Sequence, residues 1–157
     1  MITKDELFKH TENKDGNKVR IDKNIRCSEN KSEYLYINKS GHRVAKIKVD
    51  GALVAATDTK KCDYLLVNWN STHSLFIELK GSDVKKAICQ INTTLDLLWT
   101  SLKGMGMSVA HARIVLSKTP RPNLMPIEKR KLDLRLKAKE YGFGTIKVQS
   151  EKMLETF

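Results

Sequence analysis

The chain has 157 residues, a net charge of +11 from 29 Lys+Arg against 18 Asp+Glu, and 40% hydrophobic residues. That is enough for one domain with its own core, and it excludes a disordered or fibrous chain. No run approaches the roughly 18–20 apolar residues that cross a bilayer, and the N-terminus has no apolar signal region, so the expectation is a cytoplasmic protein without a membrane partner. The positive excess concerns partners, with polyanions, nucleic acid first, as the expected class.

Residues 1–31 are polar, with eight basic and six acidic residues between Lys4 and Lys31, and read as a solvated surface. Thr3 and Glu6 form a capping box for a short helix over Asp5 to Lys9. Asn13 to Lys18 reads as a loop. Glu33 to Ile37 is a first strand, followed by a hairpin turn at Asn38-Lys39-Ser40-Gly41. Arg43 to Asp50 alternates with period two. Val44, Lys46, Lys48 and Asp50 share one side, and Arg43, Ala45, Ile47 and Val49 the other. Ala52 to Ala56 continues that strand beyond Gly51, and a turn follows over Thr57 to Lys61.

Cys62 to Val67 and Leu75 to Lys80 are nearly continuous apolar runs, as expected of strands buried on both faces. Asn68 to Thr72 between them reads as a hairpin connection. Each run carries an acid that apolarity does not explain, Asp63 and Glu78. Ser82 is expected to cap a long helix with Val84, Ala87, Ile88, Ile91, Leu95, Leu98, Trp99 and Leu102 on its apolar face and Lys86, Gln90, Thr93 and Thr100 on the opposite stripe. Gly104-Met105-Gly106 ends it. Val109 to Leu116 is a further strand and Ser117 to Asn123 a basic loop. A second helix runs from Pro126 to about Tyr141. Thr145 to Gln149 is a last short strand, with a fraying tail. A helix crossing between strands predicts an α/β (α+β) fold, a mixed sheet with a parallel pair flanked by helices, in a single domain with its core over about 33–149.

An acid buried without a partner costs several kcal/mol. If the two apolar runs are neighbouring strands, Asp63 and Glu78 converge, and either cations such as Lys80 or a divalent ion would compensate them. Hard cations such as Mg²⁺, with Mn²⁺ as a substitute, are held by one or two carboxylates plus water and phosphate oxygens. Lys80, two positions after Glu78, shares its strand face. It would orient an attacking water or stabilise developing charge. The spacing therefore suggests metal-assisted phosphodiester hydrolysis. The competing structural reading is a turn-forming Asp63 and a surface Glu78–Lys80 ion pair.

Cys62-Asp63 followed by Phe76-Ile77-Glu78-Leu79-Lys80 resembles the PD-(D/E)xK nuclease superfamily, the restriction-endonuclease-like fold. Its pattern is an Asp at the start of one strand, then an apolar strand bearing (Asp/Glu)-x-Lys. The resemblance implies a mixed sheet with helices on both sides, in the order helix, three strands, helix, strand. It also implies Mg²⁺ bound by Asp63, Glu78 and the Leu79 carbonyl. Gln90 resembles the glutamine that some branches set near the site. Cys62 stands where many members have proline, and the further acid supplied by many members is open among Asp50, Glu33 and Glu6. Lys46 and Lys48, Lys60, Lys61, Lys85 and Lys86 around the site, with Lys118 and Arg121 in the basic loop, are the expected phosphate contacts. Trp69 and Tyr64 are candidate stacking residues, and Trp99 a core residue. The expected function is a DNA-directed nuclease, with two copies pairing as a homodimer. The alternatives are an RNA-directed nuclease, or a domain that binds nucleic acid or protein without cutting.

His10, His42, His73 and His111 are far apart in sequence and lack metal-ligand spacing, so His73 is expected at the surface. The scattered Cys27, Cys62 and Cys89 read as buried reduced thiols.

Overall fold

The computed structural model describes residues 2–9, 11, 23–29, 31–51, 60–79, 81–118 and 127–157. Lys80, Arg121, Pro126, the continuation over Ala52 to Ala56, the turn at 57–59, the loop at 13–18 and most of the basic loop after Lys118 lie outside those residues. The elements, in chain order, are α1 (Lys4–Lys9), β1 (Asn24–Glu29), β2 (Ser32–Ile37), β3 (Val44–Lys48), β4 (Tyr64–Asn68), β5 (His73–Glu78), α2 (Val84–Gly104), β6 (Val109–Leu116), α3 (Ile127–Lys137), β7 (Ile146–Ser150) and β8 (Lys152–Thr156). A single 3₁₀ turn over Lys139–Tyr141 follows α3.

The fold is α+β, built on a five-stranded mixed sheet of order β3-β4-β5-β6-β7. β3, β4 and β5 form an antiparallel meander, α2 crosses over, and β6 lies parallel to β5 and β7 parallel to β6. The parallel pair, the crossover helix and the β4–β5 hairpin are as the sequence predicts. β4 is buried at every position and β5 at all but His73, because the two strands lie inside the sheet with layers on both faces.

One layer is helical. Leu7 of α1, the apolar face of α2, and Leu132 and Leu136 of α3 pack with Ala45, Ile47, Leu65, Val67, Phe76 and Ile114 in one core. The other layer is a three-stranded sheet, β1-β2-β8, antiparallel between β1 and β2 and parallel between β2 and β8. Its Ile25, Cys27, Tyr34, Tyr36 and Met153 close a second core over Val44, Tyr64, Leu66, Leu75, Ile77 and Val115. Among the described residues, the helices cover one face, and the small sheet takes the other in place of the helices expected on both sides.

Three sequence expectations change accordingly. The polar segment before Lys31 contains β1, whose Ile25 and Cys27 are fully buried between the outward Asn24, Arg26 and Ser28, a strand too short and polar to stand out. Asn38 to Gly41 is a turn, with Gly41 at φ +63° and the Asn38 side chain bonded to both the N–H and the carbonyl of His42, but it is no hairpin. It is the corner where the chain leaves the small sheet for the large one. The tail does not fray, since β8 pairs with β2 along five residues. Glu151, at φ +64°, carries the chain back between sheets, its N–H donating to Leu116 and its carbonyl accepting from Glu33.

The Thr3–Glu6 capping box of α1 is present, each residue bonding the other's backbone N–H. The α2 cap is Asp83 rather than Ser82, with its carboxylate accepting from the Lys86 N–H. Trp99 is core, its indole N–H donating to the Glu140 carbonyl, whereas Leu97 is exposed. Cys27 and Cys62 are buried thiols and Cys89 is exposed. No helix among the described residues is long and apolar enough to cross a membrane.

Candidate active site

β4 and β5 pair in the register Tyr64 opposite Ile77. One step further, Asp63 stands opposite Glu78, and directly opposed residues of an antiparallel pair share a face, with Cβ atoms roughly 5 Å apart. The two acids singled out in the sequence are thus brought together at one end of the β4–β5 hairpin. Both are withdrawn from solvent, Asp63 at 4% exposure and Glu78 at 0%.

Asp63 is held from two sides. Its carbonyl accepts from the Val49 N–H of the neighbouring chain segment at 3.0 Å, and its carboxylate Oδ2 accepts from the Leu79 N–H at 2.9 Å. α2 holds the entry to β4. The Gln90 amide donates to the Lys61 carbonyl at 3.2 Å, and the Cys62 N–H donates to Thr94 Oγ1 at 2.9 Å. Gly81, at φ +86°, turns the chain from β5 towards α2, and its carbonyl accepts from the Ser117 N–H at the end of β6. Burial pushes the Cys62 thiol up, and the nearby charges of Glu78 and Asp63 push it further.

Other expected residues are distributed as follows. Gln90 is buried at 6% exposure, not on an outward stripe, and acts on the backbone of Lys61. Lys61 is itself buried at 2%, so its ammonium belongs to the interior and does not reach a nucleic-acid strand at the surface. Lys48, Lys86 and Lys118 are exposed, as phosphate contacts require. Asp50 is half-buried, one residue beyond Val49 at the same end of the sheet. Glu33 pairs with Arg26 and Lys152, and Glu6 serves the α1 cap, so both have structural duties away from this site. Tyr64 is buried with Lys46 over its ring, and Trp69 packs against Phe8 and Lys4, so neither ring is open for stacking.

Two carboxylates and a neighbouring main-chain carbonyl are oxygen donors of the type that suits Mg²⁺, which keeps several waters and needs few protein ligands. Among the described residues, no group of three or more His, Cys, Asp or Glu is placed to hold a metal ion. The donor set fits a hard cation in kind and supplies the minimum in number.

Sequence reasoning missed a second polar cluster. His73 and His111 come together with their facing nitrogens 2.9 Å apart, so His73 is not a plain surface residue. Arg113, at 2% exposure, pairs with Glu155, which also accepts from Tyr34 and Lys147. The sequence signal was present in an arginine within the apolar run Ala110 to Leu116, but its partner lies 42 residues away. No protein-family model matches the chain, and searches of curated proteins and of solved structures return no match.

Proposed function

We propose that the chain is a metal-dependent nuclease of the PD-(D/E)xK type, acting on DNA. The observation that carries this reading is the opposition of Asp63 and Glu78 across the β4–β5 pair, both of them buried. The order α1, β3, β4, β5, α2, β6 supports it, with β1 and β2 inserted after the first helix. Asp63, Glu78 and the Leu79 carbonyl would hold Mg²⁺ or Mn²⁺, which when bound lowers the pKa of water and neutralises phosphate charge. The Leu79 N–H keeps the Asp63 carboxylate oriented, and α2 fixes the Lys61–Cys62 backbone through Gln90 and Thr94. Lys80 would steady the attacking water. Exposed Lys48, Lys86 and Lys118 would contact the phosphate backbone without reading sequence. Two copies would act together as a homodimer on the two strands, which light scattering of the purified protein tests.

The exposed Lys48, Lys86 and Lys118 serve equally a second reading, a domain that binds nucleic acid without cutting it. One assay separates the two. Plasmid, single-stranded DNA and RNA are incubated with Mg²⁺, Mn²⁺ or chelator, beside Glu78→Ala and Lys80→Ala. The nuclease reading expects metal-dependent cleavage of DNA that falls about 100-fold or more in either variant. Cleavage indifferent to both substitutions sinks the site, and binding without cleavage under every metal favours the second reading. Preference for RNA moves the substrate class and leaves the site intact.

A further inference from the structure

The second polar cluster lies at the other end of β5. His73 begins the strand that Glu78 ends, roughly 16 Å away along it. Its face also differs. His73 alternates with Leu75 and Ile77, which pack under the small sheet, whereas Phe76 packs under the helices. His73, His111, Arg113, Thr145, Lys147, Leu154, Glu155 and Phe157 line most of an open pocket of about 500 Å³ between the large sheet and β8.

The hydrogen bonds fix how the imidazoles are protonated. The Thr145 N–H donates to His111 Nδ1 at 3.1 Å, so that nitrogen carries no proton in the neutral ring. The proton then sits on Nε2, which donates to His73 Nδ1 at 2.9 Å. His73 in turn must carry its proton on Nε2, the nitrogen not facing His111. Burial holds both rings below the usual histidine range, His111 at about 4, so the neutral chain is the working form near pH 7. This polarity also disfavours a transition metal between the two rings. Metal-bound His111 Nε2 would need its proton on Nδ1, against the Thr145 N–H.

What the cluster offers is donors. Arg113 gives Nε–H to Glu155, two N–H groups to the Ala112 and Thr145 carbonyls and one to Thr145 Oγ1, which leaves a fifth N–H among the described residues. Lys147 gives one of its three N–H groups to Glu155 and is 58% exposed at the side chain. Two cationic side chains face one carboxylate side chain, so the lining side chains carry a surplus positive charge. Leu154, 53% exposed, and Phe157, stacked on Tyr36, add an apolar wall.

We propose that this pocket binds a phosphate-bearing small molecule, with the phosphate held by Lys147, the His73 Nε2–H and Arg113, and the remainder against Leu154 and Phe157. A phosphate monoester presents three terminal oxygens to donors that come from three separate strands, β5, β6 and β7, whereas a carboxylate presents two. Glu155 fixes the cations and supplies no ligand contact. The pocket does not depend on the carboxylate site for its charge or its walls.

Isothermal titration calorimetry near pH 7 with inorganic phosphate, AMP and adenosine tests this. Saturable binding of phosphate and AMP, with none of adenosine, is expected. AMP affinity should fall about tenfold or more in each of Lys147→Ala and His73→Phe. Both variants should keep the wild-type unfolding temperature within a few degrees, since Lys147 is at the surface and His73 at a strand end. Glu78→Ala should bind AMP normally, which separates this pocket from the nuclease reading. Equal binding of adenosine, absence of saturable phosphate or AMP binding, or affinity undiminished in both folded variants would each overturn the proposal.

Discussion

The two ends of β5 solve the problem of buried charge differently. At the His73 end, the Glu155 carboxylate accepts from Arg113, Lys147 and Tyr34. Burial alone would raise its pKa, yet these donors bring it below the ordinary carboxylate value. Tyr34 is pushed up, by burial and then by the Glu155 charge, and stays a phenol donor. At the Glu78 end, two acids face each other on adjacent strands, and the bond from the Leu79 N–H orients Asp63. A buried carboxylate surrounded by cationic donors reads as a fold-closing device with a pocket beside it. At the Glu78 end two buried acids stand on adjacent strands at one register position, and it is this opposition that the proposed nuclease reading rests on.

The comparison breaks most sharply at Arg113. Arg113→Met leaves the buried Glu155 without its guanidinium, and breaking a buried pair costs about 3–5 kcal/mol. Urea unfolding should show a loss of that size. A loss below about 1 kcal/mol would mean that Lys147 and Tyr34 suffice, and that the cluster does not close the fold.

At the other end the supports are smaller. Thr94→Val removes the acceptor of the Cys62 N–H and should cost about 1 kcal/mol or slightly more. If the proposed nuclease activity exists, this variant should lower it as well, by loosening the entry to Asp63. Activity unchanged in a destabilised Thr94→Val protein would show that α2 does not position the site.

The pH dependence tests the His73 end without a substitution. His111 has a folded pKa of about 4, below the ordinary histidine value, so the unfolded chain takes up the proton first. Its contribution is complete above about pH 6.5 and is lost as pH falls from there towards 4. The lowered Glu155 pKa adds a loss only below its unfolded value of about 4.5. Thermal melts should therefore fall in two stages, and His111→Gln should shrink the first to the share of His73 while leaving the second. A wild-type melting temperature that is constant between pH 7 and 5 would contradict the buried neutral imidazole.

Much of the architecture was legible in the sequence because it is local. The period of α2, the apolar runs of β4 and β5, and the connection at Asn68 to Thr72 each encode their element within a few residues. Asp63 and Glu78 were visible because an acid in an apolar run is anomalous against its own neighbours. The strands of the small sheet were not equally visible. β1 spans six residues, buries two hydrophobic side chains, and gains its strand character from pairing with β2. β8 depends on a partner more than 100 positions earlier in the chain, at Glu33 to Ile37.

The amino-acid sequence alone determined the elements of the large sheet's meander, the crossover helix and the pair of acids, since periodicity and burial anomalies are properties of short segments. Tertiary structure alone decided that the turn after Asn38 is a corner between sheets, and that Gln90 and Lys61 face inward. It also decided that His73, His111, Arg113, Lys147 and Glu155 form one cluster. The reason is physical. Those outcomes depend on which layers close over each face of the sheet and on hydrogen bonds between residues as much as 121 positions apart, and no local pattern carries that information.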